Sequence, residues 1–355
     1  MLEIVGHCDH RLFGIAPAQR LRRQLGALPD PRSKAVRAGM AFIADASAVL
    51  DDAALDWLAN NPGIVLGSPA GTPLALALPE AERARGRILL AQPIEMVRSG
   101  DPTFVRKLRR RVPLLARSLA EEPAAGIERQ LYDNSYKGVT DLVTKYVWPV
   151  PAFHAVRACA ALGLSPNMVT FAGIVLMLAA TWLFFTGDLA LGLAAAWAMT
   201  FLDTVDGKLA RVTARSSRLG NILDHGIDFL HPPFWWWGVT HGIAVIAPAQ
   251  SGLAWTALWV VLATYVVSRA VEEGFKARFG FNAYIWTRFD SRFRTIVARR
   301  NILLLLIGLG LLAGAPVWGW VAAAAWSLAS LAVQLVRLAA AFTAARREPL
   351  RPWLA

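Results

Sequence analysis

The sequence predicts an α/β soluble domain followed by an all-α polytopic membrane domain of six transmembrane helices. Three observations carry this expectation. Hydrophobic residues make up 55% of the 355-residue chain, and the mean hydropathy is +0.42, too apolar for an ordinary soluble protein. The apolar content is uneven: before about Pro166 charged and apolar residues are mixed, and beyond it long apolar runs are broken by short, mostly basic segments. In the first 125 residues, short β-prone runs alternate with helical stretches, the pattern of an α/β domain.

The β-prone runs are 40–44, 63–66, 74–78 and 87–90, and the helical stretches include 17–28 and 52–60. Ala41-Phe-Ile-Ala-Asp45 reads as a strand ending in an acid. Residues 126–165 are expected to form a linker. Within them, 132–148 mixes Tyr136, Lys137, Lys145, Tyr146 and Trp148 at helical spacing, which predicts a helix lying on the cytoplasmic face of a bilayer. The basic run 106–111 precedes it.

A helix needs about 20 apolar residues to cross a bilayer. Six segments qualify: 168–187, 189–210, 219–247, 253–271, 302–316 and 317–342. Arginine and lysine fill the connections between the second and third and between the fourth and fifth, and the tail at 346–355. The connections 186–188, 248–252 and 313–319 hold neither residue. This alternation predicts a multi-pass protein of the inner (cytoplasmic) membrane with both termini in the cytoplasm. The net charge of +12 fits the same asymmetry, and the long apolar runs argue against a nucleic-acid partner. Two cysteines, Cys8 and Cys159, exclude a disulfide framework. The first 15 residues have no basic stretch followed by an apolar core, so no signal peptide is predicted.

Charged residues inside membrane helices are costly and mark function. The second and third spans carry Asp203, Asp206, Asp224 and Asp228. Spacings of three and four place each pair on one helix face, near the cytoplasmic ends of consecutive antiparallel helices. Four carboxylates brought together in low dielectric require positive charge, and hard divalent cations with oxygen ligands supply it. Two such ions would clamp a diphosphate, and one carboxylate would be left to deprotonate a hydroxyl. Charges alone also fit the cation pathway of a transporter or scramblase, or structural ion pairs.

The run Asp203-Thr-Val-Asp206-Gly207-Lys-Leu-Ala210-Arg211, eight residues, then Gly220-Asn-Ile-Leu-Asp224-His-Gly-Ile-Asp228 resembles the signature of the CDP-alcohol phosphotransferase family at all eight positions. Leu164-Ser-Pro-Asn-Met-Val-Thr170 is similar to the segment that opens the first span in that family. The resemblance covers about 133–342 and implies the following roles. Asp203, Asp206 and Asp224 would hold metal, Mg2+ or Mn2+, with two ions expected; Asp228 would be a further ligand and the general base. Gly207, Ala210, Arg211 and Gly220 would contact the CDP moiety of CDP-diacylglycerol or another CDP-alcohol such as CDP-inositol. The acceptor hydroxyl would attack the β-phosphorus and CMP would leave. The resemblance also implies a homodimer.

On the acceptor side, Arg269, Arg299 and Arg300 lie at or near membrane segments and suit a phosphorylated alcohol. Within the family this points to inositol phosphate, with glycerol phosphate as the nearest competitor; the loop arginines as a group also fit plain inside-positive charge. Trp235, Trp236 and Trp237 are expected to face lipid or the interface; His231 lies in the same span, and His225, which adjoins Asp224 but faces away from Asp224 and Asp228, is expected in a packing or interfacial role rather than in support of the metal ligands. Residues 1–125 are weakly similar to nucleotidyltransferase domains through Asp45 and the helix after it. The glycine-rich, arginine-containing phosphate loop of such domains is missing, so this domain is expected to be non-catalytic.

Overall fold

The computed structural model describes residues 1–26, 31–99, 102–105, 109–215 and 218–354; at 31, 102–105, 218–225 and 227–229 it describes the backbone alone. Two compact units are distinguished. One comprises Met1–Lys137, Phe153–Pro166 and Val205–Asn221, the other Gly138–Ala152, Asn167–Thr204 and Ile222–Ala355.

The first unit runs β1 (Leu2–Val5), α1 (Pro17–Gly26), α2 (Pro31–Arg37), β2 (Met40–Asp45), β3 (Ala48–Leu50), α3 (Asp52–Asn60), β4 (Val65–Gly67), β5 (Pro73–Pro79), α4 (Gly86–Ala91), β6 (Met96–Arg98), β7 (Pro102–Val105), β8 (Arg110–Pro113), β9 (Ala116–Ser118) and α5 (Ala124–Asn134). A mixed five-stranded sheet has the order β1-β2-β5-β4-β6. Its outer pairs β1–β2 and β4–β6 are parallel, and β5 is antiparallel to both its neighbours. The period of two along β2 sends Phe42 and Ala44 into one core with Leu21, Leu55 and Leu58 of α1 and α3. Ala41 and Ile43 enter the other, with Leu89 and Leu90 of α4. Helices on both faces explain why the interior residues of β2 and β5 are apolar.

The stretch 87–90 is helix rather than the expected strand. Gly86, Leu89 and Leu90 are its buried residues, a spacing of three and four that belongs to a helix. Gly86 sits so close to the sheet that a Cβ there would lie 2.6 Å from Ile43 Cδ1. Residues 132–148 are likewise not one helix. α5 ends at Asn134, and a π-helical turn, Val143–Val147, precedes α6 (Pro149–Ala161). Asp141 fixes the break: it accepts from Thr144 N at 3.0 Å and from Asn301 Nδ2 at 2.9 Å.

The second unit is helical: α7 (Pro166–Phe185), α8 (Leu189–Val212), α9 (Arg218–Ile246), α10 (Ser251–Phe279), α11 (Arg288–Phe293), α12 (Arg300–Leu312) and α13 (Pro316–Ala345). Each of the six expected spans falls on a helix. Among the described residues, four stretches are long and apolar enough to cross a membrane: Pro166–Phe185, Leu189–Val212, Pro248–Phe279 and Pro316–Ala345. α12 is apolar but has only 13 residues, about 20 Å of helix, and α9 includes residues described by backbone alone.

Large aromatic side chains sit among the aliphatic residues of the helical core. Trp235 and Trp236 are buried and only Trp237 is exposed, so the expectation of three lipid-facing tryptophans holds for one. Trp235 Nε1 donates to Met177 O at 3.1 Å, and Trp236 packs on Trp320 with ring centroids 5.8 Å apart. Glycines allow the closest helix approaches. A Cβ at Gly242 of α9 would lie 2.2 Å from the Phe184 carbonyl oxygen, and one at Gly310 of α12 would lie 2.4 Å from Gly319 Cα of α13.

In the α/β unit Asp51 caps α3, accepting from Ala54 N at 2.8 Å. Burial pushes its carboxyl up to about 6. The folded state therefore holds a proton that the unfolded chain has released, and stability falls as pH rises through the window between the ordinary carboxylate value and about 6. Asp51→Asn keeps the cap acceptor without the charge. It is expected to raise stability at neutral pH, by up to about 3 kcal/mol, and to flatten the melting temperature between about pH 4 and 6. Thermal melts across that range check both effects.

Candidate active site

α8 is one unbroken helix, so Asp203, Asp206, Gly207 and Ala210 recur on one side of it at successive turns. Residues 189–204 of this helix belong to the helical unit, and 205–212 to the α/β unit. In the helical unit Asp203 is ion-paired to Arg300, with Nη2 to Oδ2 at 2.6 Å. The same guanidinium lies 3.4 Å from His231 Nε2 and 3.8 Å from Met199 Sδ. His231 is buried and packs edge-on against Trp235 at 4.7 Å. Arg300 thus links the first acid of the motif to α9.

In the α/β unit, Asp206 is only 6% exposed. Gly207 leaves room for Arg211, whose Nη2 would lie 3.6 Å from a Cβ at that position. Arg211 also donates through Nη1 to Ser135 O at 3.2 Å. Lys208 is buried, with Nζ 3.0 Å from the centroid of the Tyr136 ring. The Tyr136 hydroxyl meets that of Tyr132 at 2.7 Å. The end of α8 is therefore held by cation–π and backbone contacts from the segment after α5.

Gly220, Asp224 and Asp228 lie on α9 among the residues described by backbone alone. His225 lies there too. The expected meeting of four carboxylates therefore falls outside the described residues. Among the described residues no three His, Cys, Asp or Glu side chains group as a metal site.

The three arginines expected at the acceptor each engage a different partner. Arg269 lies 5.3 Å from the Tyr265 ring, Arg300 holds Asp203, and Arg299 pairs with Glu272 of α10. Sequence reasoning missed the network around this last pair. Tyr284 donates its hydroxyl to Glu272 Oε1 at 2.8 Å and accepts from Gln334 Nε2 at 2.9 Å. Arg294 lies 5.5 Å from the Tyr284 ring. Burial and the Glu272 carboxylate push Tyr284 up to about 12. Burial opposes the charge of Arg299, but Glu272 outweighs it and holds that guanidinium more firmly protonated than a free arginine. Burial and the repulsion of Arg299 lower Arg294 to about 10. The available signal was a pair of adjacent glutamates, Glu272 and Glu273, closing the apolar run of α10. Glu272→Ala strips the counter-charge from a partly buried arginine, which costs up to about 3 kcal/mol. Melting of the detergent-solubilised variant is expected to fall accordingly.

A family model described as CDP-alcohol phosphatidyltransferase matches residues 163–331. Over 74 residues the chain is 36% identical to the archaetidylinositol phosphate synthase of Pyrococcus horikoshii, which covers 21% of this chain and 39% of the relative. The match thus spans about two fifths of that relative's length. Among solved structures, the phosphatidylinositol phosphate synthase (PgsA1) of Mycobacterium tuberculosis with CDP-DAG bound is 22% identical with a TM-score of 0.41, over 52% of this chain and 91% of that one. The same protein in complex with manganese and citrate gives 22% and 0.41, over 52% and 87%.

Proposed function

Residues 163–331 make the chain a member of the CDP-alcohol phosphatidyltransferase family, and on that premise we propose that it transfers a phosphoalcohol group, phosphatidyl in our reading, from a CDP-linked donor to a hydroxyl of a polar acceptor, releasing CMP. The observation that carries this is the motif itself, with two of its acids on one side of α8, in a chain with four helical stretches among the described residues that are long and apolar enough to cross a membrane.

The residues fit a divalent metal. Asp206 is an almost fully buried carboxylate, and Asp203, one turn away, already draws a guanidinium to 2.6 Å. Hard oxygen donors that demand positive charge are the ligands Mg2+ and Mn2+ prefer. We assign Asp203, Asp206, Asp224 and Asp228 as the residues that would hold one or two such ions. The bound metal supplies charge neutralisation on the diphosphate. Asp228 takes the proton of the acceptor hydroxyl. Gly207, Ala210, Arg211 and Gly220 bind and orient the CDP moiety, and the attacking oxygen displaces CMP from the β-phosphorus.

Inositol phosphate is the acceptor we favour, supported by the product named for the P. horikoshii relative, with glycerol phosphate second. Arg269, Arg299 and Arg300 are its proposed contacts, and Arg300 stands next to the motif through Asp203. We further propose six spans with both termini in the cytoplasm, a homodimer, and an N-terminal domain, 1–125, that does not catalyse nucleotide transfer.

The test is CMP release by the purified chain given CDP-diacylglycerol, Mn2+ and either inositol phosphate or glycerol phosphate. Asp228→Asn is expected to lower kcat by about 10²–10⁴-fold, and Asp206→Asn to abolish the metal-dependent rate. A wild type that passes ions across vesicles without releasing CMP would sink the reading in favour of a transporter.

A further inference from the structure

The end of α8 leaves carbonyls that its own backbone does not use, and a full account of them leads to α1. The last four carbonyls of a helix have no partner within it. Here Thr213 N and Thr213 Oγ1 both donate to Leu209 O, at 3.0 and 2.6 Å. Arg215 N donates to Ala210 O at 2.9 Å, and Ala214 N to Arg211 O at 3.3 Å. This paired closure places Ala214 in the left-handed region, at φ +50°. A residue with a Cβ resists that conformation by about 1–2 kcal/mol, so something else must help hold the turn.

Among the described residues, the carbonyls of Val212 and of the following Thr213 are both taken by arginines of α1. Arg20 Nε donates to Val212 O at 2.9 Å, and Arg23 Nη1 to Thr213 O at 3.3 Å. Arg20 is only 4% exposed. Its Nη1 also donates to Leu50 O at 2.6 Å and to Gln24 Oε1 at 2.9 Å. One guanidinium therefore ties α1, the end of β3 and the end of α8 together. Cations at a helix C-terminus also favour the negative end of its dipole.

We propose that Arg20, assisted by Arg23, is a positioning residue for donor binding: it fixes the last turns of α8, which carry Gly207, Ala210 and Arg211, the residues assigned to the CDP moiety. This gives the α/β unit a part in the transfer reaction without any nucleotide chemistry of its own. The inference rests on the transfer reading above. It is specific in direction, because the residues it places are those assigned to the donor and not to the acceptor.

The full-length chain in detergent tests it through kcat and through KM for CDP-diacylglycerol and inositol phosphate separately, at saturating Mn2+. Arg20→Met is expected to raise the donor KM roughly tenfold, as for the loss of a charged hydrogen bond, with the acceptor KM unchanged. Arg20→Lys, which keeps the charge without the fork that reaches several carbonyls, is expected to recover part of the loss. Should Arg20→Met fail to fold, Arg23→Met, at a half-buried position, carries the test with a smaller rise in donor KM. A fall in kcat with both KM values unchanged marks a smaller active fraction, hence a merely structural role, and overturns the proposal. So does an unchanged donor KM in a folded variant. A wild type that releases no CMP overturns the transfer reading together with this role; a wild type that does, beside unaffected variants, overturns this role alone.

Discussion

A carboxylate inside an apolar helix has to meet positive charge, and the pairing of Asp203 with Arg300 shows the demand at its plainest. Water answers that demand for a surface acid. Within a helical unit whose core is mostly alanine, leucine, valine and tryptophan, a side-chain cation, a bound ion or a set of hydrogen-bond donors has to answer it. The same rule organises the neighbouring network, where Arg299 answers Glu272 and Arg337 grips Asp290 through two nitrogens at 2.7 and 2.9 Å. Several elements of the helical unit are joined by these pairs: α8 to α12, α10 to the start of α12, and α11 to α13. Packing sets the distances, and charge selects which faces meet.

Much of this was legible in the residues. The helices lie at the six expected positions because long apolar runs bounded by glycine, proline and arginine allow little else. Helix α3 coincides with the expected helical stretch 52–60. The strands β2, β4 and β5 were read from short β-branched and leucine-rich runs. The motif's placement on α8 and α9 followed from spacing alone.

What was not legible has physical reasons. The run 87–90 carries apolar residues in a pattern too short to separate helix from strand, and the decision came from the contact of Gly86 with Ile43. The break in 132–148 depends on Asp141 reaching Asn301, 160 residues away, which no local pattern contains. Trp235 and Trp236 turned inward because small residues such as Gly242 bring α7 and α9 close enough to enclose them. Partners of the arginines were hidden for a similar reason: Arg299 and Arg300 are neighbours in sequence, yet they engage acids on different helices.

The brevity of α12 carries a consequence of its own. In the proposed six-span reading, thirteen residues of helix are about 10 Å short of the hydrocarbon layer they would cross. Lipid answers such a mismatch by pinching inward around the short element. Arg300 opens α12, so in that reading the pinch would draw headgroups toward the guanidinium and the acid it holds. The proposed lipid-linked donor would then meet the carboxylates assigned to the reaction at the depth of its own glycerol backbone, without being lifted out of the leaflet.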